Sequence, residues 1–584
     1  MDMETKRIVI SCSFLLICFL PLKGTEDTCK REGRWRVSFK GTSTLTGYWS
    51  NRQGIGQDIP AQYLIWSFRG QLNLAGIPIN GSALYSTMQH PGYQPMNHYT
   101  LQVDMRTLLR QGIKKPALRF LRHFEVLEVG RTRPDYSKLM ISGVMLQGAH
   151  AGVRFGRFSA AAAYGTSQQP VTGGFLWSPQ YRQRMFFGRL GYGRPEKSSV
   201  YLSVLRYRDL PESHTGDAQF FIQQPDTFIH IADTFFLPAD TIPLIQHPGE
   251  GMVVGIEGVT HLFQQKLQFR GELSGCANTT NTGSEPIASD VLPNWITSVY
   301  QPRLTTSLSY AARLESSLNL PNTKVKASAM RIAPGYRSAG VPFMRQDYEG
   351  LEVQATRMLL SKRVMVQPWA RIYRDNLSGL KAMTTTTDIW GITTFIRPDK
   401  WPWVSMTWSP HRQQVSGENM IQRSNAEIFT ISSGKNYILA KHYNAYTGIT
   451  WSGQNMKTTV SDVITAYKGA QLMVQQTVML KIPLSLQLSG GYYSLRTDTL
   501  HRLSGMVTAA AYYHHGRKWR AGLSIRYTGN QDERRTGVAV NFSADLGKAG
   551  RLIFVAEPLR YRDALRPERE FNQYMVRCSL VTRL

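Results

Sequence analysis

Cysteine is scarce in this chain, five residues in 584, which excludes a small scaffold stapled by disulfides. Charged residues are also few, at 18%, while aromatics reach 11%, a balance that excludes intrinsic disorder. Beyond the N-terminus no apolar run approaches the ~18 residues that mark a membrane-spanning helix. The motifs that announce catalysis are missing: there is no G-x-S-x-G, H-E-x-x-H, Walker loop or C-x-x-C. His514 and His515 adjoin a turn and, as strand neighbours, point to opposite faces, which suits neither a triad nor a chelate. The chain is therefore expected to be no enzyme, with no cofactor and no metal site. Carboxylates are the last shortage, 40 against 68 Lys+Arg, for a formal charge of +28. That excess invites a polyanion as partner, a reading the pattern of the chain has to support.

The first residues read as an export signal. Lys6 and Arg7 precede an apolar run from Ile8 to Leu20, followed by Pro21 and Gly24, so residues 1–24 are expected to be a secretory signal peptide. Cys12 and Cys18 would leave with it, and Cys29, Cys276 and Cys578 would remain. Export argues against nucleic acid, and the basic residues are spread over the chain with no recognisable reading module; no nucleic-acid partner is expected.

What is present is alternation, the two-residue period of a strand with different surroundings on its two faces. In 518–528, Trp519, Ala521, Leu523, Ile525 and Tyr527 share one face, and Lys518, Arg520, Gly522, Ser524, Arg526 and Thr528 the other. The aromatics that bound the apolar face stand eight residues apart, roughly 27 Å at ~3.3 Å per residue. An outer-membrane barrel carries an apolar band ~25 Å tall between two aromatic girdles. Val538, Val540, Phe542, Ala544 and Leu546 repeat the arrangement, as do Leu484, Leu486, Leu488 and Tyr492. So do Leu267, Phe269 and Leu273 opposite Lys266, Gln268, Arg270 and Glu272, and Tyr574, Val576, Cys578, Leu580 and Leu584 opposite Arg577, Ser579 and Arg583. Strands of ten or more residues joined by short polar turns exceed the ~5–6 residues usual in soluble sheets. The expected fold is all-β: one large transmembrane antiparallel β-barrel over residues 25–584, of roughly 22–24 strands. From 400 to 481 alternation is imperfect and the strand ends are unmarked.

A resemblance supports this. Residues 126–137, from Val126 through Gly130, Arg131 and Pro134 to Tyr136 and Ser137, are followed by Ile141, Gly143, Val144, Met145 and Gly148. Gly156, Phe158, Ala160, Ala163, Tyr164 and Gly165 come next. The stretch resembles outer-membrane β-barrel proteins of Bacteroidota, with further similar pieces at 187–192 and 201–209. The resemblance is clearest over the first third of the chain. It implies the location and the fold and no reaction.

Three features bear on function. Lys266, Arg270, Arg520, Arg526, Arg577 and Arg583 lie on the faces assigned to the lumen, where they would favour anions; the other reading places such residues at the rims, reaching headgroups. Residues 209–250 hold seven acidic groups and no Lys or Arg, with Asp-Thr recurring at Asp226, Asp233 and Asp240. An insertion of that length marks function or disorder, so it is read as a lid or plug over the basic lumen or as a packed surface loop. The spacing of its aspartates does not match a known calcium loop. A Tyr-Arg-Asp signature recurs at Tyr207–Asp209, Tyr373–Asp375 and Tyr561–Asp563, and reads as interfacial tyrosine, rim arginine and turn-forming aspartate at strand exits.

The expected role is a channel or translocation pore for solutes or a polymer in the bacterial outer membrane. The alternative is a non-conducting structural or assembly partner of an outer-membrane export complex. Lipid and lipopolysaccharide are the expected surroundings, with outer-membrane or periplasmic proteins as further partners.

Overall fold

The computed structural model describes residues 37–52, 60–74, 77–88, 97–103, 105, 116–171, 180–213, 220–222, 227–229, 234–236, 241–243, 247–287, 299–418, 420–440, 442–461, 463–498, 500–516 and 518–584. They form thirty strands, β1–β30 in chain order, of which 26 make one closed antiparallel barrel. The other four, β10 (Phe220–Ile222), β11 (Thr227–Ile229), β12 (Thr234–Phe236) and β13 (Thr241–Pro243), pair as β10 with β13 and β11 with β12 inside the 211–249 connection. Closure joins β1 (Val37–Arg52) to β30 (Phe571–Arg583), from Thr42 opposite Arg583 to Arg52 opposite Gln573. A closed barrel leaves no edge strand and satisfies every ladder hydrogen bond internally, which a bilayer demands of anything that crosses it.

The barrel holds 26 strands among the described residues, above the 22–24 read from the sequence. The stretch from 400 to 481 holds four long strands, β21 (Trp403–Gly417), β22 (Ile421–Leu439), β23 (Tyr443–Val460) and β24 (Val463–Met479). Their turns are of two or three residues and carry no glycine or proline: Ala440 and Ser461 take the positive φ themselves, at 47° and 44°. The two strongest turn punctuators, Gly and Pro, are therefore missing from these reversals.

The connections are asymmetric. At the end where β1 begins and β30 finishes, the turns span at most six residues, apart from 104–123. At the opposite end lie the long ones: 133–145, 169–181, 211–249, 280–305 and 333–347. Short turns on one rim and long loops on the other are how outer-membrane barrels are built.

Outward-facing side chains are apolar. Leu523, Ile525 and Tyr527 of β27 (Trp519–Gly529) are exposed, and their cross-strand neighbours are Ala511, Ala509 and Val507 on one side and Val540, Val538 and Thr536 on the other. Exposed Leu190, Leu202, Ile256, Leu273 and Leu314 continue the surface on the far side of the barrel. Exposing so many large apolar groups is favourable only against hydrocarbon. Leu523 sits at the centre of its apolar face. Leu523→Arg is expected to lower unfolding stability in lipid vesicles by about 2–4 kcal/mol, the depth-dependent cost of a lipid-facing arginine, as read from reversible denaturant titration.

Candidate functional site

The interior is where this barrel departs from an empty cylinder. Two loops from the long-loop rim, 133–145 and 333–347, fold inward and dock on each other and on the wall. Leu139, Met140 and Ile141 pack with Tyr336 against Met185, Phe187, Leu205, Val253, Cys276, Ala311 and Ile332. These wall residues belong to β8 (Arg182–Arg194), β9 (Ser198–Leu210), β14 (Glu250–Leu262), β15 (Leu267–Thr279), β16 (Thr306–Leu320) and β17 (Thr323–Ile332). Between the loops, Ile141 bridges Gly340 in parallel and the Ser142 amide donates to the Gly340 carbonyl at 3.0 Å. The Tyr336 hydroxyl donates to the Leu139 carbonyl at 3.0 Å and the Ser338 hydroxyl to the Met140 carbonyl at 2.6 Å. Burial pushes the Tyr336 hydroxyl up from its ordinary pKa, so it stays protonated as a donor.

Only glycine fits at 340, because a Cβ there would lie 2.2 Å from the Met140 carbonyl oxygen. Gly340→Val is expected to part the two loops. Hydrogen exchange at the Ser142 amide should then accelerate by at least about tenfold, since each 1.4 kcal/mol of lost protection is a factor of ten.

Beneath the loops lies a buried ionic network. The Glu257 carboxylate holds Arg189 at 3.1 Å and Arg270 at 2.7 Å, and Arg270 also reaches Glu272 at 3.5 Å. The charges then grip the loop. Arg189 donates to the Tyr136 carbonyl at 2.8 Å, while Glu272 accepts from the amides of Lys138 and Leu139 and from the Ser137 hydroxyl. The Tyr136 ring stacks on Phe187 with centroids 5.3 Å apart, and its hydroxyl meets His150 Nε2 at 2.7 Å. Burial, with the nearby Glu125 carboxylate adding to it, pushes the Tyr136 hydroxyl up to about 12. The Arg189 guanidinium also lies 3.8 Å from the Tyr201 ring centroid. Charges held inside a membrane barrel are costly, and here they are paired and directed onto one loop.

Cross-strand register carries the interior face around the barrel to the seam. There Thr46 of β1 and Ser579 of β30 share a buried hydrogen bond of 3.0 Å. Arg577 and Arg583 are on this same face, opposite Tyr48 and Thr42. Arg520 faces inward between His514 and Ser543, and Arg526 between Thr508 and Gly537. Lys40 and Arg69 join them: Arg69 is opposite Thr42 on β2 (Gln62–Leu74), and Lys40 lies two residues along β1. Their inward placement is legible only from the register of β1 with β2, and sequence reasoning missed both. All six are exposed, and none has an ion pair among the described residues. Arg270, by contrast, is bound into the Glu257 network, and Lys266 sits in the 263–266 turn on the short-turn rim, where its carbonyl accepts from the Asn319 amide. Asp226, Asp233 and Asp240 lie outside the described residues; the Thr that follows each opens β11, β12 or β13.

The three Tyr-Arg-Asp signatures stand at strand exits on the long-loop rim. Asp209 accepts from the Gly249 amide at 2.9 Å, Asp375 from Thr385 at 2.6 Å, and Asp563 from Leu565 and Arg566 at 3.1 and 2.9 Å. Each aspartate thus ties down the backbone beyond its strand. The tyrosines turn inward, Tyr207 to Asn278, Tyr373 to Glu352 and Tyr561 to Asp563, where the sequence reading had put them in the lipid interface.

No protein family and no curated protein matches the chain. Among solved structures it is similar to OccAB3 of Acinetobacter baumannii at 8% identity over 58% of this chain and 93% of that one, with a TM-score of 0.28. OccK9 of Pseudomonas aeruginosa gives 11%, 69%, 98% and 0.26, and the PapC usher translocation pore of the P pilus 10%, 94%, 100% and 0.24. At these identities and TM-scores the likeness carries no argument about role.

Proposed function

We propose that this chain is a channel of the bacterial outer membrane that passes small anionic solutes along one side of its lumen. The long-loop rim would face the outside and the short-turn rim the periplasm. The observation that carries the reading is the division of the interior. One part of the wall is capped by the two docked loops and has its charges paired, while the part around the β1–β30 seam exposes Lys40, Arg69, Arg520, Arg526, Arg577 and Arg583 without a carboxylate partner among the described residues. Unpaired cations in a water-filled passage with low-dielectric walls raise the local concentration of anions.

The test is reversal potential in planar bilayers across a KCl gradient. The expected sign is anion preference. Cation preference would overturn the basic-lumen reading, and no conductance at all would favour an assembly partner.

A further inference from the structure

A second feature of the interior differs in chemistry from the seam. Beside the docked loops, the inner faces of β15 to β17, β18 (Tyr348–Leu359) and β19 (Val364–Asp375) line a half-open recess of about 610 Å³. That is within the 300–1,000 Å³ usual for small-ligand sites. Its rim includes Arg270, whose guanidinium lies 3.5 Å from the Tyr136 carbonyl, so the recess opens next to loop 133–145.

Trp369 forms one wall. Its cross-strand partner is Gly391, and a Cβ at that position would come within 2.9 Å of the indole. The glycine leaves room for the ring against the sheet. The Arg371 guanidinium lies over the Trp369 ring, 5.5 Å from its centroid. On the opposite side of Trp369 in register is Gln354, and Gln268 and Gln367 also line the space. Carboxamides both donate and accept, as a polyol requires of its partners.

The charges of the recess are largely matched. Arg313 pairs with Glu315, Arg270 with Glu257 and Glu272, and Arg371 stands directly opposite Glu352, which also accepts the Tyr373 hydroxyl. Only Lys326 has no carboxylate within ion-pair distance or opposite it among the described residues. With Glu257 and Glu272 behind Arg270, five cations (Arg189, Arg270, Arg313, Lys326, Arg371) face four carboxylates (Glu257, Glu272, Glu315, Glu352), so one excess positive charge remains, a far smaller bias toward anions than the six unpaired cations of the seam. A half-buried indole beside carboxamides and carboxylates matches a ligand with apolar C–H faces and many hydroxyl edges.

We infer that this recess is a binding site for a neutral saccharide of one to three rings, with Trp369 as the stacking platform and Gln354 and Glu352 as hydroxyl partners. The site goes beyond the channel reading and does not need the pore to conduct. Binding is therefore measured at equilibrium, by isothermal titration calorimetry on the full-length detergent-solubilised protein. The probes are glucose, maltose, cellobiose and raffinose, with inorganic phosphate as the charged comparator.

The expected result is saturable binding of at least one saccharide, weakened by about tenfold or more, the equivalent of ~1.4 kcal/mol, in Trp369→Ala. Gln354→Ala should weaken it too, while Trp369→Phe, which keeps an aromatic platform, should retain most of it. Trp451→Phe, on the outer face, should change nothing. No saturable heat with any of the four sugars would overturn the proposal. Binding that is indifferent to Trp369→Ala, or sugar binding displaced by phosphate, would overturn it as well. A barrel that conducts anions yet binds no sugar would refute this site alone, and one that binds sugar but does not conduct would refute only the channel.

Discussion

Glu257→Gln should be the most damaging single substitution in this barrel and should also open it. The Glu257 side chain is 5% exposed and serves two guanidinium groups, Arg189 at 3.1 Å and Arg270 at 2.7 Å. Removing its charge leaves Arg189, itself 8% exposed, without a counter-ion among the described residues. Breaking a buried pair from one side costs about 3–5 kcal/mol because the surviving charge stays desolvated. Both guanidinium groups also point at the Tyr136 carbonyl, so the loss passes to loop 133–145 and through Ile141 to loop 333–347. The expected outcome is a lower unfolding midpoint together with a several-fold rise in single-channel conductance, as the docked loops leave the lumen.

A companion variant separates the two effects. Arg189→Met with Glu257→Met replaces the pair by apolar groups of similar size, which is often neutral for stability. Arg270 keeps Glu272 in that variant, but the strongest hydrogen bond to the Tyr136 carbonyl is gone. Stability should recover while conductance stays raised. If conductance returned to the native value with stability, the network would be holding the wall and not the loop.

The contrast between what could and could not be read from the sequence has a physical basis. The phase of the strands was legible because each face meets a different solvent. Trp519 to Tyr527 alternate with Arg520 to Arg526, and no register shift is compatible with burying those arginines in lipid. Reversals lacking glycine, at Ala440 and Ser461, hid strand ends. The docked loops were hidden for another reason. Glu272 and Ser137 are 135 residues apart, and nothing local to either announces the other. Two signals were nevertheless available. Leu139, Met140 and Ile141 form an apolar run inside a connection, where polar residues are expected. Arg189, Glu257 and Glu272 place charges in mid-strand, where an ionisable group in a membrane segment marks function by default. The acidic insertion drew attention through composition, and its repeated aspartates lie outside the described residues; the two docked loops carry no such compositional mark.

Reversing the charge of the seam should reverse the ion preference of the channel. Arg583 and Arg69 flank Thr42 on neighbouring strands, so their Cα atoms are about 10 Å apart at ~4.5–5.5 Å per strand step. Side chains of that length can both bear on one passing ion. Arg577 lies six residues along β30 on the same face, about 20 Å further at ~3.3 Å per residue. The three therefore act over much of the passage. None has an ion-pair partner among the described residues, so substitution strands no buried carboxylate and should leave the unfolding midpoint nearly unchanged. The Arg69→Glu, Arg577→Glu and Arg583→Glu triple variant changes the local charge by six units. At 0.1 M salt, where the Debye length is about 10 Å, its reversal potential should switch from anion to cation preference; at 1 M, where that length is about 3 Å, most of the difference should vanish. Lys548→Glu, on the exposed 546–550 turn, makes the same kind of charge change at the rim and should shift the potential far less. An equal shift from the rim variant would mean that the mouth sets selectivity. An unchanged sign in the triple variant would mean that ions do not pass the seam, and the open path would then have to run elsewhere in the lumen.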